Sequence, residues 1–321
     1  MDYRTIFITG AASGIGRALA LALSAPDCVL YLADCNATGL QATRQGCMEK
    51  GATAHITCLD VTDREAMTRW CSQGAEHDVD LVLVCAGVTG GVSAVDQDGA
   101  AFETGDQIRR MMAVNMDGAL NAILPMMARM RDQPLRKMGQ FRKQRGQICA
   151  IASVAGLVSY PGTPSYSASK AALDRFLVAS GAYSRRAGIY LSSVCCSFVA
   201  TPMVAQNHFP MPGLMRVENA TAHILHGLAR RKRRIIFPSW LVLGSRFMDI
   251  LPVRLAELYY QHQPTGRPGS MPGIDNPACK DMPPPTPTTP SNPASPPPPG
   301  NARLTVRMRP PEDGAGADTP P

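Results

Sequence analysis

Tyr166 and Lys170 stand four residues apart at the head of a stretch with helical spacing, so their side chains share one face. An ammonium beside a phenol favours the phenolate and should draw its pKa down from about 10 toward working pH. A phenol tuned in that way can give a proton to a nascent alkoxide or take one from an alcohol. The pair is short enough to arise by chance, so its meaning depends on what accompanies it. Near the other end of the chain, Thr9-Gly10-Ala11-Ala12-Ser13-Gly14-Ile15-Gly16 lies between an apolar run and a helical stretch. Glycines there permit a tight turn and a close backbone approach to a pyrophosphate, and the following helix start offers it free N–H groups. Gly10, Ser13, Gly14, Ile15 and Gly16 are therefore candidate dinucleotide-binding residues.

Asp34 strengthens that reading: it ends the next strand, 18 residues after Gly16, where an acid that binds the adenosine ribose is expected. Its carboxylate would repel a 2′-phosphate by about 4 kcal/mol at roughly 4 Å and an effective dielectric of 20. Cys35 and Asn36 add no cation, and Arg17 is the one residue on the same helix that would compensate. NAD is favoured over NADP as the cofactor.

These residues need a scaffold, and the chain alternates short β-rich runs with longer helical ones. Thr5–Thr9, Cys28–Asp34, Ala52–Leu59, Leu81–Cys85, Gln147–Ala152, Tyr190–Cys195 and Arg234–Phe237 read as strands. Gly14–Ser24, Thr38–Lys50, Asp63–Glu76, Ile108–Met130, Tyr166–Arg186 and Val217–Arg230 carry helical spacing. Strands such as Leu81–Cys85 are apolar on both faces, which implies helices above and below. The predicted fold is α/β: a doubly wound parallel sheet of about seven strands, in a single domain over residues 1–262.

Composition changes near Pro264; from that residue onward lie 18 of the chain's 28 prolines. Residues 263–321 cannot bury enough apolar surface to offset their ordering entropy and are expected to be a disordered Pro-rich tail. The first residues lack an export signal, and the ten cysteines show neither a CxxC pair nor ligand spacing; a reduced, cytoplasmic setting is expected. His223 and His226 have no further ligand nearby, so no metal site is expected. The net charge of +7 is clustered at Arg129–Arg145 and Arg230–Arg234. Solvated loops and helix ends are the reading favoured for both clusters, with an anionic surface as the alternative. Without zinc-finger or RNP spacing, nucleic acid is not an expected partner.

In order along the chain, Gly10/Gly14/Gly16, Asp34, Asp60-Val61, Ala86-Gly87, Asn115, Ser153, Tyr166-x-x-x-Lys170 and Thr201-Pro202 resemble the short-chain dehydrogenase/reductase family, over roughly Thr5 to Phe237. The resemblance implies a Rossmann-type oxidoreductase in which Asp60 and Val61 contact adenine and Ala86 and Gly87 pass along the adenosine ribose. Thr201, with Val199 nearby, would bond the nicotinamide carboxamide, and Lys170 its ribose. Ser153 would stabilise charge on the substrate oxygen, and Asn115 would anchor a water that completes a proton relay through Lys170. It also implies a homodimer or homotetramer. Two departures stand out: Cys85 occupies the place of an Asn, where a contact bracing the sheet is expected to be lost, and Cys196-Ser197 replaces a Pro-Gly.

Substrate choice is expected from the apolar residues after Thr201 (Met203, Phe209, Pro210, Met211, Pro212, Leu214, Met215) and from a cover segment at 235–262. The cover segment is apolar, but its charges and prolines rule out a membrane span; contact with a membrane surface is its alternative role. Both features point to a hydrophobic secondary alcohol or ketone as the small-molecule substrate. Two other functional readings stand beside NAD-linked dehydrogenation: an NADPH-dependent carbonyl reductase, and a non-catalytic dinucleotide-sensing regulatory protein.

Overall fold

The computed structural model describes residues 3–90, 94–95, 101–137, 143–158, 162–205, 211–240 and 254–255. The expected tail at 263–321, most of the cover segment, Phe209 and Pro210 of the apolar lid, and Arg142 of the basic insert lie outside the described residues.

Seven strands form one parallel sheet: β1 (Thr5–Thr9), β2 (Val29–Asp34), β3 (Thr53–Cys58), β4 (Leu81–Val84), β7 (Gly146–Ile151), β8 (Ile189–Cys196) and β9 (Arg234–Phe237), in the order β3-β2-β1-β4-β7-β8-β9. A small antiparallel hairpin, β5 (Ala94–Val95) with β6 (Ala101–Phe102), was not legible in the sequence. Helices α1 (Gly14–Leu23), α2 (Ala37–Met48), α3 (Arg64–Cys71), α4 (Gly105–Met112), α5 (Ala119–Asp132), α6 (Pro164–Ser184) and α7 (Val217–Ala229) flank the sheet. Strand side chains alternate between two apolar cores. Ile6 and Ile8 of β1, with Leu30, Leu32, Leu81 and Leu83, pack with residues of α1, α2 and α7. Phe7, Tyr31, Val82 and Val84 pack on the other face with residues of α3, α5 and α6. Phe7 meets the buried Trp70 edge-on at 5.2 Å, an arrangement that aromatic quadrupoles favour.

The strand order reverses between β1 and β4, one chain leaving toward β2 and β3 and the other toward β7 to β9. A crevice at the carboxyl ends of β1 and β4 is the place where such sheets bind ligands.

Two expectations are corrected here. The predicted single helix at Ile108–Met130 is α4 and α5 joined by a π-helical turn, Ala113–Gly118, which contains Asn115. The basic clusters are not wholly solvated. Arg129 donates to the carbonyls of Cys71, Gln73, Gly74 and His77 and lies 5.4 Å from the Phe7 ring centre. Arg136 pairs with Asp78 and Asp80, and Arg234 forks onto Asp174. A buried carboxylate such as Asp80 or Asp174 needs a paired cation, and this drew the arginines inward.

Candidate functional site

Gly10 and Gly14 have left-handed backbone angles, φ +68° and +52°. A Cβ on Gly10 would lie 2.6 Å from the Ala86 nitrogen, and one on Gly16 would lie 2.1 Å from the Gly10 carbonyl oxygen. The turn therefore tolerates no side chain at either place, and it leaves the first amides of α1 facing an open cleft. Ser13 caps α1 with extended backbone and makes no side-chain capping bond. At the end of β2, the Asp34 carboxylate accepts from the Ala12 amide at 3.0 Å through one oxygen and from the Asn36 amide at 3.0 Å through the other. Two backbone donors thus fix the acid at the rim of the glycine turn.

The cleft has a volume of about 740 Å³. Its walls include Gly10, Ser13, Gly14, Ile15, Gly16, Asp34, Asp60, Val61, Ala86, Gly87, Val199 and Thr201, together with Ser153, Tyr166 and Lys170. Of the catalytic and cofactor-binding residues named from the sequence, all but Asn115 are in the wall, whereas Arg17 and the lid residues Met211, Pro212, Leu214 and Met215 are not. Leu59, Val88, Thr89, Arg110 and Val114 also line it and were not anticipated. Val88 and Thr89 directly follow Ala86-Gly87, so continuing that loop by two residues would have found them.

Ser153 follows β7 and caps a 3-10 turn, Val154–Leu157; its hydroxyl accepts from the Ala155 amide at 3.1 Å. The same hydroxyl donates to the Cys196 carbonyl at 3.5 Å and neighbours the Tyr166 phenol. Lys170 is buried one turn beyond Tyr166 on α6, and its ammonium lies 5.7 Å from the tyrosine ring centre and donates to the Ile151 carbonyl at 2.8 Å. A Cβ on Gly87 would lie 3.0 Å from Asn115 Oδ1 and 3.2 Å from Lys170 Nζ, so those two groups flank Gly87. Asn115 grips the next residue: Oδ1 accepts from the Val88 amide at 2.8 Å and Nδ2 donates to the Val88 carbonyl at 3.0 Å. Nδ2 also reaches Ser169 Oγ at 3.1 Å.

The electrostatics correct the expected lowering of the phenol. Burial is the leading influence and pushes Tyr166 up to about 12, against a pull downward from the neighbouring Ser153 hydroxyl. Burial likewise brings Lys170 down to about 8, because desolvation disfavours an ammonium. Helical register made the two groups neighbours, but burial sets the direction of both shifts.

The two departures at strand ends also have a structural outcome. The Cys85 amide donates to the Thr9 carbonyl at 3.2 Å and the Ala86 amide to the Thr9 hydroxyl at 3.4 Å, so Thr9 braces β4 against β1. Cys196 and Ser197 both line the cleft, and the Ser197 amide donates to the Phe237 carbonyl at 3.1 Å. Burial pushes the Cys85 thiol up to about 12 and the Cys196 thiol to about 11, so both are neutral at physiological pH. His223 stacks on Phe237 at 5.1 Å, and among the described residues no group of three or more His, Cys, Asp or Glu could hold a metal ion. No helix among them is long and apolar enough to cross a membrane.

A family model described as short chain dehydrogenase matches residues 4–210. An uncharacterized oxidoreductase of Myxococcus xanthus is 32% identical over 257 residues, covering 78% of this chain and 94% of the relative. Estradiol 17-beta-dehydrogenase 11 of Mus musculus is 28% identical over 262 residues, covering 79% and 81% respectively. Among solved structures, a short-chain type dehydrogenase/reductase from Mycobacterium marinum superposes with a TM-score of 0.62 at 22% identity, covering 73% of this chain and 93% of that one.

Proposed function

Because the chain belongs to the short chain dehydrogenase family, we propose that it moves a hydride between a nicotinamide dinucleotide and the carbonyl carbon of a hydrophobic secondary alcohol or ketone, with Tyr166 as the proton-transferring group. The observation that carries this reading is the convergence of Ser153, Tyr166 and Lys170 in the wall of the same cleft that the glycine turn and Asp34 line. A dinucleotide fits the residues present. Gly10 and Gly16 keep the turn free of side chains, the α1 amides face the cleft, and Asp34 is fixed where ribose hydroxyls need an acceptor.

Asp34 favours NAD, since a 2′-phosphate there would face a carboxylate, and Arg17, the counter-charge on α1, is exposed and not among the cleft-lining residues. When bound, the dinucleotide supplies or accepts the hydride. In ketone reduction, Tyr166 and Ser153 would hold the substrate oxygen between two hydroxyls, and Tyr166 would give its proton as the oxyanion forms. A phenol raised to about 12 is fully protonated at neutral pH, which suits it to donate. Lys170 below about pH 8 carries the charge that stabilises the phenolate left behind. Asn115 holds Val88, and through it Gly87, against the catalytic end, and a water anchored at Asn115 would complete the proton relay through Lys170. Among relatives, the mouse protein named estradiol 17-beta-dehydrogenase supports a bulky apolar secondary alcohol as the substrate class. The apolar wall residues Met203 and Val204 support it as well.

Tyr166→Phe tests the assignment. We expect turnover to fall by about 10²- to 10⁴-fold, the scale of general acid catalysis, with dinucleotide affinity close to that of the parent. A variant that reduces a good ketone at the parent rate would remove Tyr166 from the chemistry.

A further inference from the structure

The geometry points to Glu103 as a positioning residue for Tyr166, an inference that rests on the proton-transfer reading above. Glu103 lies between the hairpin strand β6, which ends at Phe102, and Thr104, the residue that caps α4. Its carboxylate reaches across 62 residues of sequence to the start of the catalytic helix. One oxygen accepts from the Ser165 amide at 2.8 Å and the other from the Ser165 hydroxyl at 2.9 Å. Ser165 is buried and directly precedes Tyr166. Pro164, the first residue of α6, has no N–H, so the Ser165 amide is the first donor the helix presents, and Glu103 takes it. An anion in this place is also favoured by the helix dipole.

A second tether comes from the same arm of the chain. Asn115, in the π turn that follows α4, donates to Ser169 Oγ at 3.1 Å, and Ser169 Oγ donates to the Tyr166 carbonyl at 2.8 Å. The arm from Glu103 to Asn115 therefore grips α6 one residue before Tyr166 and three residues after it. Two grips on either side of one residue fix the rotation of that helical turn and with it the direction of the phenol. Removing the first grip frees the first turn of α6 while the glycine turn and Asp34, on β1, α1 and β2, stay as they are. Catalytic rate should therefore suffer and dinucleotide binding should not.

The test uses Glu103→Ala, Glu103→Gln, Ser165→Ala and the double variant Glu103→Ala/Ser165→Ala in the full chain. Three quantities are measured: steady-state kinetics with a ketone and NADH, dinucleotide affinity by fluorescence titration, and amide hydrogen exchange at Ser165 and Tyr166. Glu103→Ala should lower kcat by about 10- to 100-fold, the cost of misplacing a reacting group by an ångström or less, with NADH affinity within about twofold of the parent. Glu103→Gln, which keeps one acceptor for the amide, should recover part of that loss. The double variant should be little worse than Glu103→Ala alone, because both substitutions cut the same contact. Exchange at the Ser165 amide should quicken in Glu103→Ala.

Parent-like kcat and parent-like exchange in Glu103→Ala would overturn the assignment. So would a fall in NADH affinity and melting temperature in step with kcat, which would mark a general loss of structure. Should the parent chain turn over no carbonyl compound at all, the proposed function fails, and the exchange of Ser165 still decides whether Glu103 holds the helix.

Discussion

At the scale of single residues, the pH behaviour of the site follows from burial. Lys170 is brought down to about 8, so its ammonium is present at neutral pH and lost as pH rises through that value. Tyr166, raised to about 12, keeps its proton throughout that range. Ketone reduction needs a protonated phenol and an ammonium to stabilise what remains after transfer. Its rate should be level between about pH 6 and 7.5 and decline above about pH 8, with the titration of Lys170 and not of Tyr166 setting the limb. Alcohol oxidation needs the phenol to lose its proton, so it should gain with rising pH over the same interval. The measurement is a pair of kcat profiles, one for each direction. A reduction limb that stays flat to pH 10 would show that the ammonium does not act on the phenol. The residue types and their order were legible in the sequence because a glycine turn, an acid at a strand end and a helical Tyr/Lys pair each carry a local signature. The direction of the tyrosine shift was not legible. Spacing reports which groups are neighbours, whereas burial depends on the whole cleft, to which Ile151 of β7, Cys196 of β8 and Cys85 just after β4 contribute walls.

At the scale of elements, α6, the helix that carries Tyr166 and Lys170, is held by contacts that local pattern does not announce. The seven strands could be read because each is apolar and bounded by turn residues, and the predicted and observed ends agree to within one or two residues. The π turn could not be read: one extra residue in a helical turn leaves the apolar repeat of α4 and α5 almost unchanged. Glu103 and Asp174 could not be read either, since their partners are about 60 residues away. Asp174 lies one turn after Lys170, is fully buried, and takes both arms of Arg234, at 2.9 Å and 2.6 Å, which ties α6 to β9. Arg234→Met should cost about 3–5 kcal/mol in urea unfolding, because it leaves the Asp174 charge buried and alone. Replacing both partners, with Asp174→Leu and Arg234→Met, should recover most of that loss. If the single Arg234 variant unfolds at the parent's midpoint, this fork contributes nothing to holding the helix.

At the scale of the whole molecule, one sheet with an apolar core on each face supports a cleft assembled from distant parts of the chain. The glycine turn belongs to β1 and α1, the acid to β2, Asp60 to the end of β3, Gly87 to the end of β4, and Ser153, Tyr166 and Lys170 to the end of β7 and to α6. A ligand that spans the cleft touches both halves of the sheet at once, so its binding energy should appear as stability of the entire fold. For one site and no affinity for the unfolded chain, a hundredfold excess of ligand over its Kd adds about 2.7 kcal/mol. For a domain of this size each kcal/mol moves the melting temperature by roughly 2–4 °C, so NADH should raise it by about 5–10 °C. NADPH at the same concentration should raise it much less, because its 2′-phosphate would face Asp34, whose oxygens are already fixed by the amides of Ala12 and Asn36 and cannot turn away. Asp34→Ser removes that charge and should bring the two shifts close together by gaining affinity for NADPH. Equal shifts in the parent chain would overturn the preference for NAD while leaving the dinucleotide site itself intact, and a parent that responds to neither cofactor would overturn the site.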